Sequence, residues 1–132
     1  MVDQTLKPDR NGSPDMNATT RFFFTLTGGL AGAAGVALSA AAAHAGGVNL
    51  GTAATFLLAH APALLAIGLA GKGRAIAVAG ALLLVGAVLF CGDLVMRDLL
   101  GQRLFPMAAP TGGTLMILGW LGVAGSAFAS RA

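Results

Sequence analysis

The strongest constraint on this chain is a run of 50 residues, from Phe22 to Gly71, that contains no Asp, Glu, Lys or Arg. A soluble domain of this size leaves a large part of its surface in water, so it could not hide so much apolar chain. The whole sequence has 132 residues, of which 10% are charged and 56% hydrophobic, whereas soluble domains carry roughly 25% charged residues. The chain is therefore predicted to be an integral membrane protein.

Four apolar segments approach the roughly 20 residues that a helix needs to cross about 30 Å of hydrocarbon. They cover about residues 22–43, 52–70, 75–100 and 111–130. In lipid each backbone polar group must find its partner within the protein, so these segments are predicted to be helices. The predicted fold class is all-α: an integral membrane four-helix bundle over residues 21–132, preceded by a disordered polar tail at 1–20.

The first span has an alternative interpretation as a cleaved signal peptide, because Arg21 precedes it and small residues surround His44 at its end. Its apolar run of about 22 residues is longer than the ~7–15-residue core of a signal peptide. This length favours a membrane span.

The distribution of Lys and Arg predicts the orientation of the spans. With four spans, the N-terminal tail, the second connection and the C-terminus share one side, which carries six basic residues: Lys7, Arg10, Arg21, Lys72, Arg74 and Arg131. The other side carries two, Arg97 and Arg103. Both termini are therefore expected on the cytoplasmic side, with His44 and Asp93 near the outer face.

Small residues recur at helical spacing along three of the spans, and membrane helices pack closely where such residues meet. We expect these glycines to lie at helix contacts within the bundle; a dedicated dimer face is the alternative. The positions are Gly28, Gly32 and Gly35 in the first span, Gly86 in the third, and Gly119 and Gly122 in the fourth.

The segment LFCGDLVMRD, residues 89–98, places an acidic residue at the end of the third apolar run. Asp93 shares a helix face with Gly86, which indicates that it points into the bundle. Arg97 follows at the i+4 position that suits an ion pair, and Gly101 suits a helix C-cap. The spacing favours a structural pair at the outer end of the helix. A role in binding or proton handling is the alternative, because ionisable residues within membranes are often functional.

Two histidines complete a candidate polar cluster with Asp93 and Arg97. His60 lies about eight residues into the second span, hence ~10 Å below the outer interface, and His44 ends the first span at the outer level. A neutral, hydrogen-bonded imidazole is the structural interpretation of His60, and a proton relay or ligand contact is the functional one. Trp120 falls in the middle of the fourth span and is expected to pack internally, where its indole N–H needs an acceptor.

Several function classes lack support in the sequence. The basic residues are scattered at the edges of apolar runs, so no nucleic-acid surface is predicted. Cys91 is the single cysteine, which rules out an internal disulfide. The two histidines and Asp93 lack the compact spacing of metal ligands, and no nucleophile–base pair or cofactor motif is found. We expect no metal, no cofactor and no enzymatic activity.

Short motifs at regular places in the four spans carry a family resemblance, which extends from about Thr27 to Phe128. They are Ala43-His44, His60-Ala61, Leu64-Leu65, Phe90-x-Gly92-x-Leu94, Pro110-x-Gly112-Gly113 and Gly119-Trp120. In this order the chain resembles family 423 of the domains of unknown function, which includes YgdD-like and transmembrane protein 256-like small membrane proteins. The resemblance implies a four-span protein of the bacterial inner membrane and brings no established activity.

The chain departs from that family at positions where a role could otherwise be carried over. The family tends to show Gly and an aromatic residue just before the first histidine, where this chain has Ala40 to Ala43. It often has a small hydroxyl residue and a tyrosine where this chain has Asp93 and Val95. No role of Asp93 therefore follows from the resemblance.

The sequence favours a non-enzymatic accessory or structural subunit that binds another membrane protein, lipid or a second copy of itself. The glycine stripes and the very short connections support this hypothesis. The alternative is a small oligomeric transporter or channel subunit that uses His60 and Asp93. Small multidrug transporters of similar length rely on an acidic residue in the first span, and this first span has none.

Overall fold

The computed structural model describes residues 15–131, and their regular structure consists of four helices. These are α1 (Ala18–Ala45), α2 (Val48–Ala70), α3 (Gly73–Leu100) and α4 (Ala108–Ala129). Each helix is long and apolar enough to cross a membrane, so the prediction of an all-α four-helix membrane protein is confirmed. Of the predicted polar tail, residues 1–14 lie outside the described part of the chain, and 18–20 belong to α1.

The helices begin earlier than the hydropathy pattern predicts, because polar residues also complete their first turns. The Asn17 side chain accepts a hydrogen bond of 2.7 Å from the backbone N–H of Thr20, which caps α1 in the manner expected of Asn. Pro110 lies in the first turn of α4 instead of preceding it. Its missing N–H costs nothing there, since the first four N–H groups of a helix have no partner within the helix.

The helices pair in chain order into two hairpins, α1 with α2 and α3 with α4, and α2 packs against α3 to join them. Phe24 of α1 also reaches Gly80 of α3, where an added Cβ would lie 2.8 Å from the phenyl ring. The Cα atoms of α1 and α4 nowhere approach within 8 Å in residues 15–131. These two are therefore the edge helices of the bundle.

Glycines set the close approach within each hairpin. An added Cβ on Gly28 would lie 2.9 Å from the backbone nitrogen of Leu65 in α2. In the second hairpin Gly86 and Gly112 face each other, and a Cβ on either would lie 2.7 Å from the carbonyl oxygen of the other. Such contacts let two helix backbones touch, which strengthens van der Waals packing in lipid.

The remaining glycines of the predicted stripes differ in how closely they approach the neighbouring helix. Gly35 and Gly119 are as tightly placed as Gly28, against Leu58 and Leu83 respectively. An added Cβ on Gly122 would lie 3.0 Å from the Cβ of Ala79 in α3, which is tighter than most real Cβ contacts. Gly32 would make only ordinary contact, at 3.7 Å from Ala61.

Candidate functional site

The polar group nearest the middle of the membrane is His60, and both of its ring nitrogens are engaged. Nδ1 lies 2.7 Å from the carbonyl oxygen of Phe56, and Nε2 lies 3.2 Å from the indole Nε1 of Trp120. A carbonyl can only accept and an indole N–H can only donate. The contacts therefore assign a neutral imidazole with its proton on Nδ1.

Aromatic rings enclose this imidazole. The ring of Phe56 stacks parallel to it at a centroid distance of 6.1 Å and also meets Phe90 of α3 at 4.6 Å. Trp120 crosses from α4 to α2, although the Cα atoms of those helices nowhere come within 8 Å. His60 is 4% exposed, whereas Trp120 is 45% exposed. The indole finds the predicted acceptor, but it covers His60 from outside the bundle and is not packed internally.

The start predicted for the helix that carries His60 is wrong. The apolar pattern placed the start of the second span at residue 52, whereas α2 begins at Val48. His60 is 12 residues further along, hence ~18 Å from the start of α2 at ~1.5 Å per residue. Trp120 is likewise 12 residues from Ala108 at the start of α4. The pair lies near the middle of both helices.

The second polar site is Asp93, whose side chain has no solvent exposure. Its Oδ2 accepts hydrogen bonds from Arg97 Nε at 2.9 Å and Nη2 at 2.5 Å. Its Oδ1 accepts the backbone N–H of Leu104 at 2.8 Å. The ion pair at i+4 matches the predicted spacing, and Gly101 caps α3 with φ +67° as expected. Asp93 therefore fastens the α3–α4 loop to the end of α3.

A third polar site was missed by the sequence reasoning. Asp98 Oδ1 accepts a hydrogen bond from Asn49 Nδ2 at 2.7 Å, and its Oδ2 accepts from the backbone N–H of Leu50 at 2.9 Å. Leu50 lies in the first turn of α2, where backbone N–H groups lack partners within the helix. The carboxylate on α3 thus caps α2 from a distance. One signal was present in the sequence: Gly47 precedes α2 and has no side chain that could cap this helix, so the cap has to come from another segment.

Two observations explain why a glycine stands at position 47, next to the cap that Asp98 forms on α2. Its φ of +118° lies in a region that residues with a side chain rarely adopt. An added Cβ would also lie only 2.6 Å from Asp98 Oδ2. The turn between α1 and α2 therefore follows the path that the carboxylate of α3 allows.

The predicted polar cluster is thus divided: Asp93 and Arg97 form a pair, and the two histidines lie apart from it. His44 is exposed at the end of α1. Asp93 is seven residues from the end of α3 at Leu100, or ~10 Å in depth, and Arg97 is its partner. Among residues 15–131 no hydrogen bond joins His60 to Asp93, since each carries its own partners.

Of the loop residues in the predicted site, Gly112 lies against α3 and Gly113 is open, with no atom within 4 Å of an added Cβ. Pro110 is exposed in the first turn of α4. These positions shape the entry of the chain into α4 and carry no ionisable group.

Comparison with known proteins establishes the family. The family model described as "Protein of unknown function (DUF423)" matches residues 31–113. The chain belongs to this family. It is also 41% identical over 71 residues to UPF0382 membrane proteins from two strains of Staphylococcus epidermidis. That alignment covers 52% of this chain and 58% of each relative, so the chain spans a little over half the length of these relatives.

No solved structure matches the chain. The part of this chain that matches the DUF423 model contains His60, Asp93 and Asp98 and ends before Trp120. Together with the four apolar helices, these relatives identify the chain as a small multi-pass membrane protein of an uncharacterised family.

Proposed function

We propose that this DUF423 member is a non-enzymatic accessory or structural subunit that binds another membrane protein or lipid. The observation that carries the proposal is the use of the interior polar groups in contacts between segments of the chain. His60 connects α2 to α4, Asp93 connects α3 to the following loop, and Asp98 connects α3 to the start of α2. Contacts of this kind fix the helices relative to one another and give a rigid surface.

The edge helices offer that surface. The large exposed side chains of α4 include Ile117 and Leu121, each 63% exposed. Gly113 and Gly125 of α4 and Gly29 of α1 leave the helix backbone open, since an added Cβ would meet no atom within 4 Å. Open glycines on an apolar helix allow a second helix to approach closely, so α1 and α4 are the surfaces for a partner protein or a second copy.

We place the protein in a bacterial inner membrane with both termini in the cytoplasm. The excess of Lys and Arg at that end of the bundle supports this orientation. Among residues 15–131 that end has four basic residues and the opposite end has two: Arg21, Lys72, Arg74 and Arg131 against Arg97 and Arg103. Thiol labelling of an Arg131→Cys variant in intact and in opened cells measures the side on which the C-terminus lies.

Purification from native membranes in a mild detergent tests the accessory role. We expect a second membrane protein, or a second copy, in a fixed ratio to this chain. Gly113→Leu should reduce that ratio because it covers the open backbone of α4. Val88→Leu, a conservative change at an exposed position of α3, is the matched control. Recovery of the isolated chain with no stoichiometric protein under all mild conditions would contradict the protein-binding role.

A small oligomeric transporter or channel subunit is the second candidate. It is favoured by one observation, a titratable imidazole near the middle of α2 and α4. Transport predicts that His60→Ala or Asp93→Asn abolishes proton or solute flux in reconstituted vesicles. The accessory role predicts no flux that depends on either residue.

A further inference from the structure

A groove of about 480 Å³ lies between the inner halves of α3 and α4, away from the polar sites described above. One wall is a single face of α3 that includes Arg74, Val78 and Leu82, and the other is formed by Gly122, Gly125 and Ser126 of α4. The Ser126 hydroxyl donates to the carbonyl oxygen of Val123 at 2.6 Å. The walls thus present mainly apolar atoms and small side chains.

The groove has the direction and length of a site for a lipid chain. Arg74 is the second residue of α3, so the groove begins where this helix enters the membrane. Leu82 is eight residues further along, which places the other end ~12 Å deeper at ~1.5 Å per residue. The groove therefore runs from the interface into the hydrocarbon.

A cation marks the interfacial end. Arg74 is exposed, and within residues 15–131 its guanidinium makes no hydrogen bond or ion pair. A guanidinium binds a phosphate group through two parallel hydrogen bonds, and basic pockets between membrane helices bind anionic head groups. The chain thus combines an apolar groove with a positive charge at the depth of lipid phosphates.

We propose that the groove between α3 and α4 binds one acyl chain of an anionic phospholipid whose phosphate contacts Arg74. The proposed site names a lipid class for the binding role proposed above. It depends on that role in one respect only: both require that the chain lies in a bilayer. Recovery of a partner protein would stand if the lipid test failed.

Gly125 provides the sharpest test because it borders the groove without touching the rest of the fold. An added Cβ there meets no atom within 4 Å, so Gly125→Leu has room at its Cβ, and we expect the rest of its side chain to occupy the groove. Val88→Leu is the control: it enlarges an exposed side chain of α3 and is outside the groove. Arg74→Gln removes the charge, and Arg103→Gln is its control at the opposite end of the bundle.

The purified full chain in neutral detergent is titrated with dioleoyl phosphatidylglycerol and with dioleoyl phosphatidylcholine, and bound lipid is counted by native mass spectrometry. We expect the anionic lipid to bind at least about fivefold more tightly, which is the effect of one cation near a membrane surface. Arg74→Gln should remove this preference. Gly125→Leu should weaken binding of the anionic lipid by about tenfold, because it takes the space of several methylene groups and removes their van der Waals contacts with the groove walls. Both controls should bind as the unchanged chain does.

Three results would overturn the proposal. Equal affinity for the two lipids in the unchanged chain would show that Arg74 selects nothing. Unchanged binding in Gly125→Leu, or an equal loss in Val88→Leu, would show that the groove holds no chain. Displacement of the lipid by inorganic phosphate alone would mean that Arg74 binds a free anion; we expect no displacement, because the acyl chain is held by the groove.

Discussion

The middle of the bundle and one of its ends use polar side chains in different ways. In the middle, His60 and Trp120 share one hydrogen bond of 3.2 Å between uncharged groups. At the end where α2 begins and α3 ends, Asp93 and Asp98 carry carboxylates that accept three and two hydrogen bonds respectively. The groups thus become more polar and better supplied with donors as the distance to water decreases.

This difference follows from the cost of burying charge in hydrocarbon. An ionised group at the centre of a membrane needs charged partners or a path to water, whereas a neutral imidazole is satisfied by one carbonyl and one indole. Asp93 has no exposure itself, yet its partner Arg97 is 31% exposed. Asp93 and Asp98 hold segments together where their charge can be balanced.

Removal of the buried Asp93 carboxylate should have the largest effect on stability. A small effect would contradict the difference between the two regions. Asp93→Ala leaves Arg97 and the backbone N–H of Leu104 without an acceptor, and we expect a loss of about 3 kcal/mol in the free energy of unfolding, the lower end for buried ion pairs because Arg97 can turn to water. Reversible unfolding in bicelles measures it. Asp93→Asn retains an acceptor and should lose less. Losses as large as those of Asp93→Ala would show that a neutral acceptor cannot replace the carboxylate and that the charge accounts for the whole effect.

Gly47→Ala should be the next most damaging change, at about 2 kcal/mol, because it combines backbone strain with a contact against Asp98. Gly46→Ala is the control: Gly46 also has positive φ, +76°, but no atom lies within 4 Å of an added Cβ. It should lose only the strain, about 1 kcal/mol. Thermal unfolding of the two variants gives the difference. Indistinguishable losses would argue against the close carboxylate.

Asp98→Ala should cost about 1.5 kcal/mol, the effect of losing a helix cap and one further hydrogen bond. Asn49→Ala removes only the side-chain bond and is expected to cost about half as much. Hydrogen exchange at the first turn of α2 should accelerate in Asp98→Ala alone. If exchange there is unchanged, the cap does not come from α3.

The mid-membrane contact should have the smallest effect. Trp120→Phe keeps an aromatic ring and removes the indole N–H, and we expect a loss of about 0.6 kcal/mol, the average for hydrogen bonds between membrane helices. Trp120 is the single tryptophan of the chain, so its emission spectrum reports on this site directly. His60→Leu should shift the emission, whereas His44→Leu should not. A shift from both would place the indole elsewhere.

The sequence predicted those parts of the fold that depend on neighbouring residues along the chain. The four spans follow from hydropathy, and the pair between Asp93 and Arg97 follows from helical periodicity. The packing of Gly28 and Gly86 was expected from small-residue spacing, although their partners Leu65 and Gly112 were not. Contacts between distant segments carry no periodic signal.

Three features of the site depend on such distant contacts. Asp98 caps α2 across 48 residues of chain, so the earlier start of that helix could not be read locally. This early start also places His60 nearer the middle of its helix than predicted, because α2 begins at Val48. The bond to Trp120 requires the indole to cross between helices whose backbones stay apart, and one sequence gives no indication of that path.

Nitrogen-15 NMR of His60 in lipid bilayers at neutral pH tests most directly whether the mid-membrane site is a neutral contact between helices. The account predicts one neutral tautomer with the proton on Nδ1 and an Nε2 signal that shifts when Trp120→Phe removes the indole donor. An imidazolium, or a proton on Nε2 that is indifferent to Trp120, would contradict it and favour a site that exchanges protons.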